Sequence, residues 1–349
     1  MHLSLRLYAS IVEIEEDKLK MKIVVTGANG FIGSWVIKML ADGRHEIICL
    51  VREGSDISRV KNLEHLPGVK ICMIDYENEI SLESAIEGVS VLIHLIGQMG
   101  GKEITKEKMN YVNVTLTERV ANVCVTNHVN QIIYCSTPGV QGFGHRACAE
   151  DMPYAPRGNY ERSKMEAEKT LIEICRNHQV NYTIIRPDFV YGPFDMRRIK
   201  MYKNIKNKKF VLTTKGDSYL HPTYVEDVAQ GIVKAVQNKQ AYNEIFNISA
   251  AKDVTSLQYL QTIAECVGCK LIHINIGYHI SIFLAQMIEK VFIVLKKEPP
   301  VTKSKIDFLA LDHSTSIKKA QRLLNYKPKY SLRKGMECTI SWCQENNLL

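Results

Sequence analysis

The chain has 349 residues, 46% hydrophobic and 23% charged, with a formal net charge of +8. That balance excludes a disordered or fibrous chain and allows a sizeable core, as one large α/β unit or two domains. Ten scattered cysteines, several inside apolar runs, read as free thiols in a reducing, cytoplasmic setting.

Residues 1–20 differ in character from the rest of the chain. Their second half, "IVEIEEDKLK", holds four acids, which argues against a cleavable signal. They are expected to form a disordered N-terminal extension before Met21. From there, short apolar runs alternate with helix-period segments: "KIVVTG", then "SWVIKMLADG"; "VKICMID", then "SLESAIEG"; "VSVLIHLIG", then "NVTLTERVANVCVTN". "QIIYCST", a long helix from Tyr160, and "YTIIRP" come next. Strands buried on both faces and separated by helices predict a parallel sheet covered on both sides.

After Arg186-Pro187 the pattern changes. Residues 197–209, "RRIKMYKNIKNKK", carry seven Lys or Arg and no acid. "NEIFNIS" is expected to return to the main sheet. Cys266 and Cys269 form a lone C-x-x-C with no partner pair at zinc spacing, so no metal is expected. Residues 280–295, "ISIFLAQMIEKVFIVL", are interrupted by Gln286, Glu289 and Lys290 and are too short and charged to span a membrane. Ile280, Phe283, Leu284, Met287, Ile288 and Val291 share one helical face, which predicts an amphipathic helix covering a core or pocket.

Three motifs carry chemistry. Gly27, Gly30 and Gly33 stand between a strand and a helix as G-x-x-G-x-x-G. Such a turn brings backbone N–H groups and a helix N-terminus to a phosphate. It predicts a Rossmann-type doubly wound parallel sheet that binds a dinucleotide. The second strand ends "CLVREGSD", with Arg52 where an NAD site usually places an acid. An arginine there pairs with a 2′-phosphate, so NADP is favoured over NAD. Tyr160 and Lys164 lie i and i+4 on one helix face, and Ser136 and Thr137 supply hydroxyls at a strand end.

In order along the chain, these motifs resemble the extended short-chain dehydrogenase/reductases of the NAD-dependent epimerase/dehydratase type. The resemblance runs from about residue 21 to the C-terminus. It implies a cofactor turn "TGANGFIG" that includes Asn29, Phe31 and Ile32, and an adenine contact at Asp75 with Tyr76 beside it. It implies a fourth-strand motif ending in Leu95, Ile96 and Gly97, a structural Asn113, a catalytic Thr137 with Ser136 adjacent, and Pro187 in "IIRPDFVYGP". It also implies that Tyr160 is the base and that Lys164 supports it. Dehydratases of this group carry Asp-Glu after the catalytic Thr, where this chain has Pro138 and Gly139. Cys135 lies before the serine, not beyond it as in the epimerase-reductases. In "GDSYLHPTYVED", His221 stands in a segment where many sugar-nucleotide enzymes carry an arginine.

The expected layout is a dinucleotide-binding domain over 21–190, with a segment returning at about 223–250. A smaller, discontinuous C-terminal substrate domain takes 191–222 and 251–349. The leading expectation is a nucleotide-sugar epimerase whose substrate meets Arg197, Arg198 and His221, because a basic run comes after the substrate loop. The alternative is an NADPH-dependent reductase or dehydrogenase of an apolar ketone or alcohol, as in the flavonol-reductase and hydroxysteroid branches. A cofactor-binding regulator is disfavoured, since the Thr137, Tyr160 and Lys164 set is complete. The partner is a small molecule, with no nucleic acid and no membrane span, in a chain that is a candidate homodimer.

Overall fold

The computed structural model describes residues 20–101, 104–295, 297 and 299–349. The extension expected over 1–20 lies outside these residues except for Lys20. Seven parallel strands make the main sheet: β1 (Lys22–Thr26), β2 (Glu46–Arg52), β3 (Val69–Ile74), β4 (Val91–His94), β5 (Gln131–Cys135), β6 (Asn181–Pro187) and β7 (Glu244–Ile248). Their order is β7-β6-β5-β4-β1-β2-β3. The chain is therefore a doubly wound, Rossmann-type α/β fold, and the strand order reverses at β1.

The apolar runs are continuous because both faces are buried. Ile23, Val25, Ile47, Cys49 and Ile93 point into one layer, with α1 (Phe31–Leu40) and α5 (Val225–Ala235). Val24, Ile48, Leu50, Leu92 and Ile132 point into the other. That layer holds α2 (Glu79–Ile86), α3 (Leu116–Thr126) and α4 (Asn159–Asn177). The period-2 alternation of a strand thus divides one apolar run between two helix layers.

A second core gathers Tyr191, Tyr202, Leu220, Tyr259, Met336 and Ile340 from the later part of the chain. A four-stranded sheet joins His145–Cys148, Tyr219–Leu220, Val254–Thr255 and His313–Thr315 beside it.

Helix α6 (Tyr278–Val294) overturns one expectation. Its buried residues are Ser281 and Ala285, and its apolar face turns outward, with Phe283 61% exposed. The small residues let the helix lie close to the body, where Ser281 Oγ donates to the Thr213 carbonyl at 3.1 Å. Close backbone approach decided the orientation, and the large side chains were left outside.

Candidate active site

The carboxyl ends of β1, β4, β5 and β6 open into a cavity of about 1140 Å³. Such a sheet binds ligands beyond those ends, at the point where strand order reverses. The glycine turn forms one wall. Gly27 has φ +67°, and a Cβ there would lie 2.9 Å from the Leu95 carbonyl carbon. A Cβ at Gly33 would lie 2.9 Å from the Ala28 carbonyl oxygen and closer still to that of Gly27. Helix α1 starts at Phe31 with no acid in its first turn, so its N-terminus presents free N–H groups and positive potential. Phe31, Ile32, Leu95 and Gly97 also line the cavity.

Of the other sequence-derived cofactor positions Pro187 lines the cavity, and Asn29, Arg52, Asp75, Tyr76 and Ile96 lie outside its lining. Asn29 accepts from Val60 N at 3.2 Å and ties the turn to the segment after β2. Arg52 is exposed at the end of β2. Asp75 is exposed and caps its own turn, accepting from Glu77 N at 2.9 Å. Tyr76 is buried in the core, its hydroxyl 3.4 Å from the Leu50 carbonyl. Ile96 packs against the same core. Pro187 lines the cavity at the end of β6.

Thr137, Tyr160 and Lys164 meet in the cavity with Ser136. Thr137 Oγ1 accepts from Gly139 N at 3.2 Å, which leaves its hydroxyl hydrogen to donate elsewhere. Ser136 Oγ is buried without a hydrogen-bond partner among the described residues. Lys164 is buried, and its Nζ lies 4.2 Å from the centre of the Tyr134 ring. Burial pulls its pKa down to about 8, against the opposing pull of Cys135 and Glu168. Burial pushes the Tyr160 phenol well above its ordinary value, and Cys135 adds to this while Arg197 opposes it. The pocket alone therefore disfavours the phenolate.

Asn113 sits in a π-helical turn, Tyr111–Thr115, of the kind often found at functional sites. Its Oδ1 accepts from Gln98 N at 2.7 Å, and its Nδ2 donates to Ser163 Oγ at 2.8 Å. Ser163 Oγ donates to the Tyr160 carbonyl at 2.8 Å. On the other side Thr117 Oγ1 donates to the Asn113 carbonyl at 2.7 Å, so it must accept from His94 Nε2 at 3.1 Å. His94 Nδ1 then accepts from Thr26 Oγ1 at 2.7 Å. Burial keeps this imidazole neutral, with its pKa lowered to about 3. One polar chain thus registers the Tyr160 helix against β1 and the glycine turn.

Of the three residues expected to meet substrate, Arg197 and Arg198 line the cavity and His221 does not. Arg197 Nε and Arg198 Nε both lie 2.9 Å from the Asp195 carboxylate, one on each oxygen. Arg198 also donates to the Val190 carbonyl at 3.0 Å and stacks 4.1 Å from the Phe189 ring. His221 is buried outside the cavity lining, with Nδ1 3.4 Å from Thr315 N, and burial lowers its pKa. The sequence reading missed Glu161, Asp188, Phe143, Phe189, Phe308 and His313, which all line the cavity. Glu161 lies against two glycines, since a Cβ at Gly139 would sit 2.9 Å from its Cγ. The spacing of Gly158 and Glu161, helix cap and third residue, was the available signal. Asp188 accepts from Thr315 Oγ1 at 3.1 Å, and burial pushes its carboxyl up to about 8.

The model of the NAD dependent epimerase/dehydratase family matches residues 23–249. The chain belongs to this family. It is an NAD(P)-dependent enzyme of that group. The chain is 26% identical to an uncharacterized UDP-glucose epimerase, YtcB, of Bacillus subtilis, over 92% of this chain and 98% of that protein. It is 22% identical to a 2-alkyl-3-oxoalkanoate reductase of Stenotrophomonas maltophilia, over 90% and 97%. The crystal structure of UDP-glucuronic acid 4-epimerase from Bacillus cereus, in complex with UDP-glucuronic acid and NAD, superposes with a TM-score of 0.75. That match has 22% identity over 93% of this chain and 100% of the other, a likeness of fold. The family's dinucleotide fits the residues present: a cradle that side chains would fill, a helix N-terminus, and a buried Lys164 bordering the cavity.

Proposed function

We propose that this enzyme interconverts an apolar secondary alcohol and its ketone, with NADP as the preferred dinucleotide. The observation that carries the reading is that Arg197 and Arg198 share the one carboxylate of Asp195. Two guanidinium groups already committed to an acid are poor partners for a substrate diphosphate. Three phenylalanines, Phe143, Phe189 and Phe308, stand in the same wall and suit apolar surface. In this reading residues 21–190 and about 223–250 hold the dinucleotide, and 191–222 with 251–349 hold the substrate.

When bound, the dinucleotide takes up or supplies the hydride. The chain's own residues handle the proton. Tyr160 Oη gives it to the carbonyl oxygen in reduction and takes it from the hydroxyl in oxidation. Bringing an unburied phenol from about 10 to neutrality is worth roughly 4 kcal/mol, and the burial of Tyr160 adds to that. The Lys164 ammonium supplies part of that, and it also holds the ribose. The Thr137 hydroxyl hydrogen, left over from the Gly139 bond, and Ser136 Oγ hold the reacting oxygen. Gly27, Gly30 and Gly33 cradle the pyrophosphate, Arg52 meets the 2′-phosphate, and Asp75 meets the adenine.

A second reading, a nucleotide-sugar epimerase, is favoured by one observation. Arg197 lines the cavity with its side chain 52% exposed, so it is not fully spent on Asp195. Two measurements separate the readings. Oxidation of NADPH is followed by absorbance with a panel of long-chain 3-oxo acids and cyclic ketones, and turnover is expected. Calorimetry of the NADP-saturated protein with UDP and GDP is expected to give no heat. A nucleotide signal that Arg197→Ala removes would overturn the first reading and install the second.

A further inference from the structure

Helix α6 presents its large side chains to solvent. Ile280, Phe283, Leu284, Met287, Val291 and Val294 recur at helical spacing and are all exposed, Val294 by 81%. They form one stripe along a 17-residue helix, ~25 Å long. Scattered exposed apolar residues are ordinary, but a continuous stripe of this length marks a docking surface.

The charge around the stripe identifies what it meets. Lys290, Lys297, Lys303 and Lys305 are exposed on α6 and the segment after it. Among the described residues from 278 to 310 the two acids both have partners, and Asp307 Oδ2 lies 4.0 Å from Lys303 Nζ. Glu289 Oε1 accepts from Lys303 N at 3.2 Å and lines the cavity, and Asp307 Oδ1 accepts from the Tyr278 hydroxyl at 2.7 Å. An apolar stripe beside lysines that outnumber the acids is complementary to anionic lipid headgroups over acyl chains. A second copy of the chain would bring to the stripe the same excess of lysines, five against three acids over 278–310. No described helix is long and apolar enough to cross a membrane. We infer that α6 lies flat on an anionic bilayer surface, its apolar stripe in the headgroup–acyl boundary. The same hairpin walls the cavity through Glu289, Ser304 and Phe308. Docking therefore brings the cavity wall to the lipid. The inference stands apart from the choice of substrate.

The test is co-sedimentation of the full chain with phosphatidylglycerol–phosphatidylcholine vesicles and with phosphatidylcholine alone. Binding to the anionic vesicles is expected, falling at least 10-fold in pure phosphatidylcholine and weakening with salt as surface charges are screened. Phe283→Gln with Val291→Gln should lower it at least 10-fold, while circular dichroism and dinucleotide binding stay unchanged. Lys290→Gln with Lys297→Gln should lower it several-fold on anionic vesicles alone. Absence of binding by the wild type, or equal binding by the Phe283/Val291 variant, overturns the inference. So does a dimer in solution that the same variant splits, since a second copy would then cover the stripe.

Discussion

Arg186 forks onto Glu168, with Nε 2.9 Å from Oε1 and a terminal nitrogen 2.6 Å from Oε2. Both side chains are inaccessible, at 1% and 0% exposure. The pair ties α4, which carries Tyr160 and Lys164, to β6, which leads into Pro187. The Tyr154 hydroxyl donates to the same carboxylate at 2.8 Å, and Arg186 also donates to the Glu150 carbonyl at 3.2 Å. Arg186→Met leaves a buried, unpaired carboxylate and is expected to cost about 3–5 kcal/mol. Replacing both residues by Met should recover most of that loss. Urea denaturation of the single and double variants measures it, and a single variant within about 1 kcal/mol of wild type would contradict the assignment.

In the proposed role of Tyr160, Tyr160→Phe removes the proton donor and little else. Turnover should fall by about 10²-fold or more, with dinucleotide affinity kept. Steady-state kinetics with a dinucleotide titration checks both halves, and activity within a few-fold of wild type would remove Tyr160 from its role.

Lys164 makes stability depend on pH. Its folded value of about 8 lies below the ordinary ~10.4. Between these values the unfolded chain binds the extra proton, so stability rises with pH across that window. Below about pH 8 the buried charge is a penalty. In the dinucleotide-free protein, the difference in unfolding free energy between wild type and Lys164→Met should move in favour of wild type by roughly 2–3 kcal/mol from about pH 8 to 10. A difference independent of pH would mean that Lys164 titrates as it does in water.

Gly33→Ala places a methyl against two backbone carbonyls, those of Gly27 and Ala28. Neither can swing away as a side chain does. Dinucleotide affinity should drop by at least 10-fold, together with a lower melting temperature. Fluorescence titration with the reduced dinucleotide and a thermal scan measure the two effects.

Arg52→Asp should turn the preference from NADP towards NAD. A charge-assisted contact to a 2′-phosphate is worth ~1.5–3 kcal/mol, roughly 10- to 100-fold in relative affinity. Equal preference before and after would show that Arg52 never meets the phosphate.

Much of the fold was written locally. Strands buried on both faces need mostly apolar residues, so β1, β2, β4 and β5 stood out as runs, and the glycine turn was visible because side chains there would strike backbone. Tyr160 and Lys164 could be paired because i and i+4 share a helix face. What the sequence could not carry were relationships between distant segments. Arg186 meets Glu168 only when β6 is laid beside α4. Glu161 enters the cavity because Gly139, 22 positions earlier, leaves it room. The outward face of α6 shows the limit most directly. Periodicity fixed which residues share a face, but the packing of Ser281 and Ala285 against the body decided which face met water. Amphipathic pattern is a property of one segment, and its direction is a property of the whole fold.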